Sequence, residues 1–333
     1  MKFQLRKYLG TTDKDQFPAS LQPVFKRAIQ LEWLTIAYLI SVVIFLYFVM
    51  ANSQVVKAVF VEDLVSLFPS VAFLIASRFF NKSPSYDFPY GYHKAFTVAF
   101  IAGAIALLML GLFILIDSVI ELVKAEAIVI EDTEIFGQQV WMGWVMVLAL
   151  IYSLIPAYLI GKRKLPLSRQ LHIKVLYVDA KMQRADWMAS AAGIIGIIGI
   201  RLGIWWADPV VAIFIAASIV KDGLYQVKAS MFDLMEEIPK TMDDRSPHPL
   251  LIELTKIFLN EDWVSDVHIR MREHGLVFFG DVFIIPKYEE NLIENIQKAY
   301  EKARGLDWKI QDLVIQPVKS LPNPNVTYQE NHP

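Results

Sequence analysis

The chain contains no cysteine among its 333 residues. Disulfides and thiolate metal sites are thereby excluded, and any bound metal would need carboxylate, imidazole, amide, hydroxyl or thioether ligands. Histidine is scarce, with six residues and no cluster. Neither charge sign is in excess: 32 basic and 34 acidic residues leave a formal net charge of -2, so nothing points to nucleic acid as a partner. No nucleophile constellation, HExxH motif or phosphate loop is present, which speaks against an enzyme.

What the chain has in abundance is apolar surface. Its hydrophobic content is 55%, above the ~45–50% of soluble domains, and the expected class is an α-helical membrane protein. A span needs roughly 20 predominantly apolar residues. Six segments before residue 230 meet that length, at about 31–50, 55–80, 95–123, 140–160, 173–200 and 208–225. The mixed polar start, with "TTDKDQFP", is the wrong layout for a cleavable signal peptide.

Lysine and arginine favour the cytoplasmic side of a membrane. Lys26 and Arg27 precede the first segment, Arg78, Lys82 and Lys94 flank the second loop, and Lys162, Arg163, Lys164 and Arg169 fill a fourth loop, whereas the alternate loops hold only Arg201. Both termini are therefore expected in the cytoplasm, with the basic loops facing it, as in a bacterial inner membrane.

After about Met235 the composition becomes that of a soluble domain. "LLIELTKIFLN" has helical spacing, "VSDVHIRMRE" and "LVFFGDVFII" read as strands around His274-Gly275, "EENLIENIQKAYEKAR" is an amphipathic helix and "KIQDLVIQPV" a last strand. The order αββαβ predicts a small α+β, ferredoxin-like domain. The expected layout is an N-terminal segment to 29, a six-helix transmembrane domain over 30–230, a linker over 231–248, the small domain over 249–320 and a disordered tail over 321–333.

Ionisable residues inside spans are costly, about 2.5–3.5 kcal/mol each at a helix centre, and mark function by default. In the fifth segment Asp179 and Asp186 stand seven apart on one helical line, with Met182 and Gln183 between and Ser190 beyond. In the second, Glu62 and Ser66 share a face and Asp63 points about 100° away, with Pro69 and Ser70 following. Two helices each offering a carboxylate and a neutral oxygen can build a cation site from Glu62, Ser66 and Asp186, with Gln183 or Asp179 added. Oxygen ligands suit hard or borderline divalent ions, and carboxylates that lose a proton to bind metal can carry protons in exchange. The structural alternative pairs Asp63 with Arg184 as a buried ion pair fixing helix register, and places Asp179 at the cytoplasmic interface.

The run "EDLVSLFPSVAFLIASRFFNKSPSYDFPYGYHKAF", with its Tyr90-Gly91-Tyr92-His93-Lys94-Ala95 loop, resembles the second span and following loop of cation diffusion facilitator transporters, and "YVDAKMQRADWMASAAG" resembles their fifth span. The resemblance covers nearly the whole chain. It implies a six-span transporter with a cytoplasmic domain through which the protein forms a homodimer, and a transport site at Glu62, Ser66, Met182 and Asp186. Only Asp186 keeps the family's usual identity, and Phe96 replaces the usual acidic residue after the loop alanine. Serine and thioether are poor zinc ligands beside imidazole. Divalent cation transport is thus implied while the ion, among zinc, iron, manganese and cobalt, is left open; Gln183, Asp179 or Asp63 would complete the set. No cofactor is implied. A sensor or partner subunit of the same fold, and a cation channel, are the alternatives.

Overall fold

The computed structural model describes residues 18–49, 54–80, 82, 84–124, 132–135, 138–204, 206–242 and 244–322. Most of the N-terminal segment, loop residues 50–53 and 125–131 and the tail from 323 lie outside the described residues, as does the side chain of Glu62.

Six long helices come first: α1 (Gln22–Val49), α2 (Gln54–Phe80), α3 (Ala95–Lys124), α4 (Met142–Leu171), α5 (Lys174–Arg201) and α6 (Ala207–Leu234). Among the described residues α1, α2, α3 and α4 are long and apolar enough to cross a membrane. As long as these, α5 and α6 carry more charge along their length. Between α3 and α4, strands β1 (Asp132–Ile135) and β2 (Gln138–Trp141) pair antiparallel where the sequence predicts a plain loop.

Each helix buries a stripe of heptad spacing. On α1 the stripe runs Phe25, Ala28, Glu32, Thr35, Leu39, Val42, Leu46, and on α2 Asp63, Ser66, Ser70, Phe73, Ser77, Phe80. On α4 it runs Leu150, Ser153, Ala157, Ile160, Lys164, Ser168 and Leu171. Alternating steps of three and four keep one face toward a neighbouring helix. Apolar members of α1 and α4, with Ile197 of α5, form one core cluster. Close approach is bought with glycine where α3 meets α6: a Cβ on Gly223 would lie 2.7 Å from the Leu108 Cα, a distance no side chain tolerates.

The fourth segment departs from expectation. Lys162–Lys164 is not a loop: α4 runs on to Leu171, and the turn to α5 is confined to His172, at φ 55, and Ile173. The apolar run ends at Ile160, but charged residues are good helix formers, so hydropathy marks where the apolar stretch stops and not where the helix does.

The chain divides into two compact units. One holds Pro23–Arg78 and Ala95–Met231, while the other gathers the loop Phe79–Lys94 with the residues from Phe232 onward. In the second unit, α7 (Leu250–Leu259), β3 (Val264–His274), β4 (Val277–Pro286), α8 (Leu292–Leu306) and β5 (Ile310–Pro317) follow the expected αββαβ order. The sheet order is β3-β4-β5, with β3 and β4 antiparallel and β4 and β5 parallel. Gly275, at φ 68, makes the β3–β4 turn, a backbone conformation that favours glycine. Leu254 and Phe258 of α7 and Ala299 and Ala303 of α8 pack with Ile269, Phe278, Val282 and Leu313 as its core. The loop joins the sheet's other side: the Tyr90 ring meets Phe279 edge-on at 5.8 Å, and buried His93 lies 5.4 Å from the Phe80 ring and 6.4 Å from that of Phe279. Lys94 reaches Glu236 Oε1 at 2.9 Å, and Arg272 reaches Glu236 Oε2 at 3.1 Å.

Candidate functional site

The polar side of α5 is buried throughout. Asp179, Gln183, Asp186 and Ser190 are each at most 2% exposed, and at 1.5 Å per residue they trace a polar line about 16 Å long, half the thickness of a bilayer's hydrocarbon core. Two clusters divide that line.

The first is built on Asp186. Ser66 Oγ of α2 donates to Asp186 Oδ1 at 2.6 Å, and Gln183 Nε2 donates to its Oδ2 at 3.4 Å. Asp63, 1% exposed, is within electrostatic reach of Asp186 and of the Tyr38 hydroxyl. Asp63 Oδ2 and Gln183 Oε1 have no hydrogen-bond partner among the described residues, and no lysine or arginine pairs with either carboxylate there. Farther along, Ser190 donates to Ser153 at 3.3 Å, and the Tyr38 hydroxyl donates to the Ser153 carbonyl.

The second is built on Asp179. Lys164 of α4, wholly buried, donates to Asp179 Oδ2, to Glu32 Oε2 of α1 at 3.0 Å and to Ser70 Oγ at 3.4 Å. Ser70 in turn donates to Asp179 Oδ2 at 3.1 Å. Ser66 and Ser70, one turn apart on α2, thus face Asp186 and Asp179, two turns apart on α5. Glu32 Oε1 and Asp179 Oδ1 keep no hydrogen-bond partner among the described residues.

Of the residues singled out in the sequence, Ser66, Gln183 and Asp186 come together directly, with Asp63 close by. Met182 is buried one turn from Asp186. Asp179 is buried and not free for Asp186's cluster; it belongs to Lys164. The Asp63–Arg184 pair does not form, because Arg184, two residues and about 200° from Asp186 on the helix, is exposed. Asp63 stands on the inward stripe with Ser66, three residues on. Among the described residues no three His, Asp or Glu side chains gather as a metal-holding group.

Sequence reasoning missed Lys164 and Glu32. Both were signalled: Lys164 stands seven residues from Ala157 and from Leu171 on α4's stripe, and Glu32 falls between Ala28 and Thr35 on that of α1. A charge on a buried heptad line is a stronger sign of an internal ion pair than its presence in a basic run.

Known proteins resemble this chain. The chain is 27% identical over 186 residues to the uncharacterized transporter YdbO of Bacillus subtilis, and 24% identical over 185 residues to that organism's manganese efflux system protein MneS; each match covers 56% of this chain and 60% of the relative. The chain thus spans about three-fifths of the length of these two relatives. An uncharacterized transporter of Methanocaldococcus jannaschii is 25% identical over 258 residues, 72% of this chain and 84% of the relative. Residues 33–235, which take in α2, α5 and both polar clusters apart from Glu32, match the cation efflux transmembrane domain, the domain of a family of transporters and not of enzymes. That match covers well over half of the chain, and the chain belongs to the cation efflux family, the cation diffusion facilitators its loop and fifth helix resemble.

Proposed function

We propose that this protein exports a divalent metal cation from the cytoplasm in exchange for protons, through a site between α2 and α5 formed by Asp186, Ser66, Gln183 and Asp63. The family resemblance would add Glu62 and Met182 to it. The observation that carries this reading is the burial of Asp63 and Asp186 with neutral oxygens around them and no resident cation among the described residues. A buried carboxylate without a counter-charge is costly, and a passing cation or proton satisfies it. Metal binding requires deprotonated ligands and so releases protons, which couples the two fluxes.

In this reading all six helices span the membrane, both termini and the ferredoxin-like domain are cytoplasmic, and the protein is a homodimer through that domain. Carboxylate, amide and hydroxyl oxygens suit manganese better than zinc, and the relative named for manganese efflux makes manganese the first ion to test. The test is uptake into proteoliposomes under an imposed pH gradient, with manganese, zinc, iron(II), cobalt and cadmium. Gradient-driven uptake that disappears in Glu62→Ala and Asp186→Ala supports the exchanger; flux that ignores the gradient supports a channel.

A second reading, a sensor or partner subunit that does not transport, is favoured by Ser66 and Met182 at two of the ligand positions. Absence of flux for every ion in folded, dimeric protein would select it.

A further inference from the structure

The turn of α1 and α4 that carries Glu32 and Lys164 has a second, outward side. There Arg27, Lys162 and Arg163, with Leu31, Leu159 and Leu167, line a groove of about 600 Å³ between the two helices. All three cations are exposed, and none has a carboxylate partner among the described residues; Lys162 instead stands 5.9 Å from the centre of the Tyr158 ring. Both helices are long and apolar enough to cross a membrane. The groove lies where their apolar runs end: Arg27 is one turn before Leu31, Lys162 and Arg163 directly follow Ile160 and Gly161, and Trp33, 54% exposed, stands just inside. Exposed tryptophan beside lysine and arginine marks the headgroup level of a bilayer. At that depth the three cations would face the phosphates of the leaflet while the leucines meet acyl chains.

We propose that this groove is a binding site for an anionic phospholipid, with its phosphate on Arg27, Lys162 and Arg163 and one acyl chain along Leu31, Leu159 and Leu167. Guanidinium forks match phosphate oxygens bidentately, and basic pockets between helices on the cytoplasmic side hold acidic headgroups. The charge complementarity is one-sided, three cations and no acid among the groove's described residues, which selects an anionic over a zwitterionic lipid. Leu31 and Arg163 immediately precede Glu32 and Lys164 in the chain, so a lipid seated here braces α1 against α4 at the level of the buried ion cluster. The inference does not depend on the transport reading.

The test is binding of fluorescent phosphatidylglycerol to the full chain in detergent, competed by unlabelled phosphatidylglycerol, phosphatidylcholine and glycerol phosphate. Phosphatidylglycerol should compete well and phosphatidylcholine poorly. Replacing Arg27, Lys162 and Arg163 together by Gln should weaken binding on the order of a hundredfold, while the same change at Lys26, Arg78 and Lys221, three exposed cations outside the groove, should leave it nearly unchanged. Arg163→Gln alone should lose several-fold, and it reads the same contrast if the triple variant does not fold. Equal competition by phosphatidylcholine, or equal loss in both triple variants, overturns the proposal. Competition by glycerol phosphate as strong as by the lipid overturns it in favour of a soluble phosphate site.

Discussion

Asp179 and Asp186 lie two turns apart on the same face of α5, both buried and both hydrogen-bonded to a serine of α2. They differ in one respect: Asp179 holds an ammonium group and Asp186 does not. A carboxylate with a resident cation is a structural element, since its charge is already compensated. A carboxylate whose neighbours are a hydroxyl, an amide and another acid still needs a positive charge, and only a transient one can be exchanged. On the proposed function this contrast gives Asp186 to cargo and Asp179 to architecture, although helical periodicity makes the two equivalent.

The largest expected effect is that of Asp186→Asn. It should abolish metal uptake while leaving the protein folded and at least as heat-stable as the parent, because it removes a buried charge and keeps an acceptor for Ser66. Asp179→Asn should do the reverse, preserving much of the uptake and lowering stability. Equal loss of uptake in both, at equal stability, would break the distinction.

Lys164→Met comes next. It strands Glu32 and Asp179 as two uncompensated buried acids, and breaking a buried ion pair from one side costs roughly 3–5 kcal/mol. Thermal unfolding in detergent should show a clear loss of stability, restored when Glu32→Gln and Asp179→Asn are added, since replacing every member of a buried ion cluster is often neutral. Uptake surviving in that triple variant would sharpen the assignment. A smaller effect is expected of Ser66→Ala: removing one hydrogen bond to a charged acceptor costs about 1.5–3 kcal/mol and should raise the metal concentration for half-maximal uptake on the order of tenfold. Ser70→Ala should change it little, because Asp179 retains Lys164.

Much of the fold was legible, and the reasons it was legible are physical. Apolar runs placed all six long helices to within a few residues at most ends, and alternation with a glycine turn placed β3 and β4. What hydropathy could not mark was the reach of α1, α4 and α6 beyond their apolar runs, so Lys164 was assigned to a loop; Glu32, inside the first apolar segment, was passed over as a single charge near its start. Asp186, Ser66 and Gln183 followed from spacing on single helices. The pairing of Asp179 with Lys164 did not, because a heptad line marks a charge as buried on its own helix and does not show which charge on another helix it meets. Nor did the sequence show that the loop 79–94, read as a cytoplasmic connection, packs with the C-terminal residues.

That loop supplies the smallest expected effect and a contrast with the buried clusters, for its charges are exposed to solvent. The hydrogen bond from Lys94, with the charges of Lys94 and Arg272, holds the Glu236 carboxyl down at about 2, against an ordinary 4.5. Burial, with a lesser contribution from His274, holds the His93 imidazole at about 4, against 6.5. Both groups bind protons more weakly folded than unfolded, so their contributions to stability are complete above the unfolded values. The His93 contribution is lost as pH falls from about 6.5 to 4, and that of Glu236 from about 4.5 to 2. Hydrogen exchange on the full chain should therefore show peptides from 79–94 and 264–286 losing protection between pH 6.5 and 4, after correction for the intrinsic exchange rate. His93→Phe, which keeps a ring between Phe80 and Phe279, should reduce that loss, leaving the part contributed by His274, whose imidazole burial also holds below its ordinary value, whereas Glu236→Gln should leave the His93 part in place and lower protection already at neutral pH, where the ion pairs it deletes are intact.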